Sequence, residues 1–278
     1  MMKNLRITLL LFLFTTIGYC QKYQGESWAT IKAAGAGTLT VVYYEQPGLI
    51  YSEAGKIKGA CVDIMNDFVD YVQTHYNKKI TVNYAGKEPV FTQFLKVVQD
   101  TKDILGVTNV TITNERKKIL KFTPPFLSNP VVLLTHKNAP SIAGASDISE
   151  KLDGYSAEVI GGSTHLKHIE KIKKDYLPGL VINYGSNGAD ILKKISTNPK
   201  VFTILDFTEY VDATRKNMPV KRQNINFGEA DELAFVMSKQ SDWDVLWNEF
   251  LTLNYRKSVK YRKIIADNLG TTFLSILR

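Results

Sequence analysis

Three groups of residues in this sequence have the chemistry to bind a small charged molecule. Arg116 follows a β-branched segment, and a guanidinium can pair with a carboxylate through two parallel hydrogen bonds. Residues 161–164, Gly-Gly-Ser-Thr, separate an apolar stretch from a helical one, and a helix N-terminus of this kind favours an anion. Asp206 ends the apolar run Val-Phe-Thr-Ile-Leu, where a buried carboxylate needs a cation or several hydrogen-bond donors.

Each group also has an ordinary structural explanation. Arg116 could lie with Lys117 and Lys118 on a solvated helical turn. The glycine-rich segment could be a plain N-cap, and Asp206 could cap the helix that follows it. Taken together, however, the groups match one ligand: the arginine and the helix N-terminus would hold a carboxylate, and the aspartate would hold an ammonium group. A zwitterion with both groups on one carbon is an α-amino acid, which the combination therefore favours.

The elements that must position these groups are alternating strands and helices. β-branched and aromatic residues predict the strands, and apolar residues at helical spacing, as from Val62 to Val72, predict the helices between them. Ligands in open α/β sheets bind beyond the carboxyl ends of strands, and all three groups follow predicted strands. The predicted strands are Leu39–Tyr44, Ile80–Ala85, a segment within 104–113, Val131–Thr135, Tyr155–Ile160, Val201–Asp206 and Glu232–Met237.

The order of the elements predicts an α/β protein of two lobes. The alternating pattern stops near residue 130, begins afresh, and ends in a last strand and two helices. The chain would therefore form one lobe, then the second, and then return to the first. The predicted boundaries are a leader at 1–20, the first part of lobe 1 at 21–132, lobe 2 at 133–230, and the return to lobe 1 at 231–278.

The first twenty residues have the three-part layout of a secretory signal peptide. Lys3 and Arg6 precede the apolar stretch Ile7–Ile17, which is too short to span a bilayer, and small residues flank the end of the leader. We expect cleavage after Cys20. Lipid anchoring at Cys20 is not expected, because the bulky Tyr19 stands where such sites require a small residue. The mature protein is thus predicted to be periplasmic.

Composition and charge narrow the remaining classes of function. The formal net charge of +8 comes partly from clusters such as Lys171, Lys173 and Lys174, which a solvated helix face explains better than nucleic-acid binding. Cys61 is the only cysteine beyond the leader, so no internal disulfide is possible. The four histidines do not have the spacing of a metal site. We expect a monomer with no cofactor, no metal and no nucleic-acid partner.

The sequence resembles the bacterial extracellular solute-binding proteins of family 3, which serve ABC importers of polar amino acids. The resemblance runs from about Leu39 to Gly270. The segments that carry it are LTVVYYEQP, GKIKGACVDIM, DILGVTNVTITNERKKILKFTPPF with its Thr-x-Thr-x-x-Arg pattern, KLDGYSAEVIGGST and VFTILD. It implies a type II periplasmic-binding-protein fold, in which two lobes, each a mixed sheet flanked by helices, are hinged by two crossing strands and close on a ligand.

Position by position, the resemblance also implies roles for individual residues. Arg116 would pair with the α-carboxylate of the ligand, and Thr164 would add a donor. Thr111 and the carbonyl group of Asn109 would help to hold the α-ammonium group, with Asp206 as its charge partner.

Other positions would shape the rest of the binding site. Tyr44 or Phe91 would stack on the ligand. Ser163, which we also expect to bind the ligand, or Thr164 could cap the helix and leave adjacent N–H groups free for an anion. Glu45 and His165 fall where the family commonly tunes selectivity for the ligand side chain.

The predicted function is therefore periplasmic binding of a small α-amino acid for the permease subunits of an ABC importer in the inner membrane, without catalysis. One alternative is a ligand-sensing module with the same site. Another is a dehydratase-like enzyme on the same scaffold, whose general acid would be sought among Glu158, Glu209 and Glu229.

Overall fold

The computed structural model describes residues 22–228 and 230–275. The predicted signal peptide and its Cys20 lie outside the described residues, as does Glu229. No helix within these two ranges is long and apolar enough to cross a membrane.

The strands and helices alternate along most of the chain. The strands are β1 (Ala36–Tyr43), β2 (Tyr51–Glu53), β3 (Lys56–Lys58), β4 (Lys79–Lys87), β5 (Ile104–Thr111), β6 (Leu120–Phe122), β7 (Leu127–Asn129), β8 (Val131–His136), β9 (Ser156–Ile160), β10 (Val181–Gly185), β11 (Val201–Asp206), β12 (Val220–Arg222) and β13 (Asp231–Ser238). The helices are α1 (Trp28–Ala34), α2 (Ala60–Tyr76), α3 (Phe91–Asp100), α4 (Asn114–Ile119), α5 (Ile148–Lys151), α6 (His165–Asp175), α7 (Gly188–Thr197), α8 (Phe207–Arg215), α9 (Asp244–Phe250), α10 (Leu253–Lys257), α11 (Val259–Leu269) and α12 (Thr271–Leu274), with a 3₁₀ turn at Ala145–Asp147.

The first sheet defines lobe 1. Its strand order is β4-β1-β5-β13-β6, and β7 also pairs with β13. Strand β1 runs parallel to β4 and β5, whereas β13 is antiparallel to its three partners. All eight residues of β5 are buried, which is typical of a parallel strand covered on both faces by helices. This sheet is therefore mixed, with its most buried strand at the centre.

The second sheet defines lobe 2. Its order is β10-β9-β11-β8-β12, with β9 parallel to β10 and β11, and β8 antiparallel to β11 and β12. The small hairpin of β2 and β3 stands apart from both sheets. The predicted fold class, two mixed α/β lobes, is confirmed.

The chain crosses between the two sheets twice. The first crossing is the short step from β7, which ends at Asn129, to β8, which begins at Val131. The second runs from the end of β12 at Arg222 to the start of β13 at Asp231. Since Asn129 pairs with Asp231 in the first sheet, the two crossings lie side by side. The lobe boundaries at 132/133 and 230/231 stay predictions.

Lobe 1 is packed around an aromatic cluster. The rings of Phe68 and Trp247 stack with their centroids 4.0 Å apart, and Phe235 meets Trp247 edge-on at 5.3 Å. Both Trp243 and Trp247 are fully buried. Aromatic pairs of this kind add to the free energy gained from burial alone, so they hold the return segment of the chain firmly against helix α2.

Candidate functional site

A small cavity lies between the lobes, where the carboxyl ends of β5, β9 and β11 meet. Nine of the ten residues that we predicted to bind a ligand line it, and Glu45 does not. Gln46 and Ile160 also line it and were not predicted. The cavity has a volume of about 20 Å³, which is the space of about one water molecule. The lobes must therefore move apart to admit a larger molecule.

Arg116 lies on α4 with its side chain buried between the lobes. The hydroxyl of Thr113 caps the helix by accepting a hydrogen bond from the backbone N–H of Arg116 at 3.1 Å. In the side chain, Nη1 donates to the carbonyl oxygen of Thr111 at 3.0 Å, and Nη2 donates to the carbonyl oxygen of Gly162 at 3.0 Å. Since Gly162 belongs to lobe 2, this arginine bridges the two lobes.

The guanidinium keeps its charge in this position. Burial lowers the pKa of Arg116 to about 10, while the carboxylates of Asp231 and Asp206 act in the opposite direction. The ring centroid of Phe91 lies 5.3 Å from Cζ, within the range of a cation–π contact. A pKa of about 10 leaves a full positive charge at neutral pH, and this charge faces the cavity.

Two threonine hydroxyls meet at the mouth of the cavity. The Oγ1 atoms of Thr111 in lobe 1 and Thr164 in lobe 2 are 3.3 Å apart. Each also lies 3.4 Å from Oδ2 of Asp231, to which it can donate. Reasoning from the sequence missed Asp231, because this residue stands 120 positions after Thr111 and nothing in its local pattern distinguishes it.

Asp206 both caps a helix and faces the cavity. As the N-cap residue of α8, it donates its backbone N–H to Glu209 Oε2 at 2.9 Å. Its carboxylate is held by two side chains: Asn109 Nδ2 from lobe 1 donates to Oδ2, and His165 Nε2 lies 3.2 Å from Oδ1. The two explanations that the sequence left open for this residue are therefore compatible.

His165 begins helix α6 and is buried. Burial lowers its pKa, but the carboxylate of Asp206 and the hydrogen bond to it, together with Glu209 and Asp231, outweigh burial and leave the pKa of His165 raised above 6.5. Its other ring nitrogen, Nδ1, has no hydrogen-bond partner within the described residues.

Glu209 lies behind Asp206 and is also buried. Burial and the nearby carboxylate of Asp206 raise the pKa of Glu209 to about 8, although His165 acts in the opposite direction. This side chain therefore holds a proton more tightly than an exposed glutamate does. Glu209 was a candidate general acid by residue type alone, and it does not line the cavity. Another such candidate, Glu158, pairs with Lys194 at 2.8 Å.

The two predicted stacking residues form one wall of the cavity. The rings of Tyr44 and Phe91 meet edge-on with centroids 5.4 Å apart. The hydroxyl of Tyr44 donates to the carbonyl oxygen of Ser186 at 3.0 Å, which is another contact between the lobes. Because Tyr44 is almost completely buried, it closes this side of the cavity.

Glu45 lies outside this wall. It borders a larger chamber of about 630 Å³ between the lobes. There its Oε2 pairs with Lys87 Nζ at 3.0 Å, and its Oε1 accepts from the backbone N–H of Ser52. Within residues 22–228 and 230–275, no group of three or more His, Cys, Asp or Glu side chains could hold a metal ion.

The two lobes and the cavity between them define a solute-binding protein. The family model of bacterial extracellular solute-binding proteins, family 3, matches residues 39–269. The chain belongs to this family, as its sequence motifs predicted. No curated protein sequence matches the chain.

Solved structures share the fold at low sequence identity. An ancestral arginine-binding protein bound to arginine has 20% identity and a TM-score of 0.67, over 84% of this chain and 99% of that one. A Streptococcus mutans structure from work on glutathione import via GshT and the cystine ABC importer TcyBC has 21% identity and a TM-score of 0.70, over 84% and 95%. The GluR0 ligand-binding core of Nostoc punctiforme with L-glutamate has 14% identity and a TM-score of 0.65, over 84% and 99%.

Proposed function

We propose that this protein binds a small α-amino acid between its lobes in the periplasm and delivers it, as a monomer, to an ABC importer in the inner membrane. The observation that carries the proposal is the buried, charged guanidinium of Arg116 at the cavity between the lobes. Similar folds in proteins that bind arginine or glutamate support it. Binding, with no chemical step, is the proposed activity.

Arg116 would hold the α-carboxylate. Its two observed side-chain bonds, to Thr111 and Gly162, use one N–H of each terminal nitrogen, so N–H groups remain for a carboxylate. Asp206, with Thr111 beside the cavity, would receive the α-ammonium group. A ligand that contacts both lobes stabilises the closed arrangement over the open one, and that difference in affinity drives closure.

The test is a thermal-shift screen of residues 21–278 against the standard amino acids. A ligand of the native state raises the melting temperature by mass action, so we expect a few amino acids to do so. Arg116→Ala should abolish the shift, since removing the partner of a buried carboxylate costs about 2–5 kcal/mol. Lys117→Ala, which changes the exposed neighbouring charge, should preserve it. No shift with any amino acid, or an unchanged shift in Arg116→Ala, would contradict the proposal.

A further inference from the structure

The side chain of Asn109, on β5, joins lobe 1 to lobe 2 inside the cavity. Its Nδ2 donates to Oδ2 of Asp206, and both residues are buried. The hydroxyl of Thr108 donates to Oδ1 of the same amide at 3.0 Å. A carboxylate can only accept hydrogen bonds, and the hydroxyl already donates to the amide oxygen. The amide is therefore held with its NH₂ group toward Asp206.

This bond differs from the other hydrogen bonds that cross between the lobes here. Arg116 and Tyr44 both donate to backbone carbonyl oxygens of the opposite lobe, so they leave the carboxylate of Asp206 free. Asn109 instead donates to the carboxylate to which the proposed function assigns the ammonium group of the ligand. The second oxygen of that carboxylate lies 3.2 Å from His165 Nε2. Each oxygen of Asp206 therefore already contacts a nitrogen atom of the protein.

Space and bonding capacity make the amide and an ammonium group alternatives. The cavity of about 20 Å³ has room for about one water molecule, so an ammonium group and the carbon that carries it do not fit while the amide stays on Asp206. An ammonium group has a full charge and three donors, and it pairs more strongly with a carboxylate than a neutral amide does. A ligand can therefore displace the amide, but the complex loses the free energy of the bond that is broken.

We propose that Asn109 is an internal competitor of the ligand: its amide holds the lobes together through Asp206, and the ammonium group of the ligand must displace it. This inference rests on the proposed function, because it assumes that Asp206 receives the ammonium group. The side chain of Asn109 thus lowers the affinity for α-amino acids and stabilises contact between the lobes.

The first test is calorimetry of residues 21–278 with the standard L-amino acids. Asn109→Ala should bind the preferred amino acid about tenfold more tightly than the unaltered protein, because binding no longer breaks the bond to Asp206. Tenfold corresponds to about 1.4 kcal/mol. A gain in affinity is informative, since a substitution that merely damaged the site would weaken binding.

Two further variants separate the bond from other effects. Asn183→Ala is the matched control, because Asn183 is exposed on the edge strand β10 and does not line the cavity. It should leave the affinity unchanged. Thr108→Val keeps the shape of a fully buried side chain that does not line the cavity, but it removes the hydroxyl that orients the amide. It should raise the affinity by about threefold, since it weakens the bond to Asp206 without removing it.

X-ray scattering in solution tests the same bond without reference to affinity. Before any amino acid is added, Asn109→Ala should have a larger radius of gyration than the unaltered protein, because it lacks one contact between the lobes. It should also contract more when the amino acid is added. Melting curves show whether Asn109→Ala is folded, and Thr108→Val serves in both measurements if it is not.

Two results would overturn the inference and leave the proposed function standing. One is an unchanged or lower affinity in folded Asn109→Ala, which would make the amide a bystander or a direct contact of the ligand. The other is an equal contraction of the variant and the unaltered protein. Failure of the proposed function has a different signature, since no amino acid would then bind to either protein.

Discussion

The two lobes make different contributions to the site. Apart from the guanidinium of Arg116, and the carboxylate of Asp231 behind the threonine pair, the side chains that lobe 1 places at the cavity are uncharged at neutral pH. Lobe 2 supplies two buried groups whose pKa values are raised, His165 and Glu209, grouped around Asp206. The fixed charges of lobe 1 and the buried groups with raised pKa values in lobe 2 therefore lie on opposite sides of the interface between the lobes.

The cores of the lobes differ as well. The core of lobe 1 contains the ring of Phe68, which stacks on Trp247 and meets Trp243 edge-on. A separate core on one face of the second sheet is mainly aliphatic, with Tyr155 and Phe202 as its buried aromatic members. Large rings contribute more buried area per residue, so single substitutions in lobe 1 should have the larger effect on stability.

The largest expected loss of stability is therefore for a substitution in the aromatic core of lobe 1. Trp247→Ala removes a fully buried ring that packs on Phe68, Phe235 and Phe250, and it should lower the free energy of unfolding by about 3–5 kcal/mol. Urea denaturation measures this. Val259→Ala, at a side chain that is 85% exposed, should change it by less than about 0.5 kcal/mol. A loss below about 1 kcal/mol at Trp247 would remove the distinction between the cores.

A second prediction concerns Glu209, a buried titratable group of lobe 2. Glu209 binds its proton more tightly in the folded protein, with a pKa of about 8, than at its ordinary value of 4.5. Its contribution to stability is therefore present below pH 4.5 and is lost as the pH rises through 8. Glu209→Gln should flatten the fall in stability over that range, by up to about 5 kcal/mol in total, since each pKa unit corresponds to about 1.4 kcal/mol.

The measurement is the free energy of unfolding as a function of pH. The raised pKa of His165 produces a fall of the same sign that begins near 6.5, so part of the slope should remain in Glu209→Gln. Glu170→Gln, on an exposed face of α6, is the control. A pH profile that Glu209→Gln leaves unaltered would place the pH dependence elsewhere.

The smallest loss of stability is expected for a hydrogen bond that lobe 1 donates to lobe 2. Tyr44→Phe removes the hydrogen bond to the carbonyl oxygen of Ser186 but keeps the ring that packs on Phe91. The loss should be about 0.5–1.5 kcal/mol, seen as a lower melting temperature of the protein without added ligand. Tyr184→Phe, at an exposed ring, should have no effect. Equal melting temperatures for Tyr44→Phe and the unaltered protein would contradict this role.

Much of the fold could be predicted from local pattern. The strand Val201–Asp206 has the predicted bounds, and Glu232–Met237 lies within β13. The strand β10 was missed because it is an edge strand with mostly exposed residues, so it lacks the apolar content on which such predictions rest. The hairpin of β2 and β3 was not predicted, since each of its strands has only three residues.

The site, like the fold, could be predicted from the sequence only in part. The sequence by itself determined that Arg116, the glycine-rich segment and Asp206 follow strands, because strand and helix periodicity depend on neighbouring residues. Only the tertiary structure decided that Asp206 pairs with Asn109, 97 positions away, and with His165, 41 positions away. Burial and the approach of distant charges set the pKa values of His165 and Glu209. These effects depend on how the two lobes pack together, which no local pattern encodes.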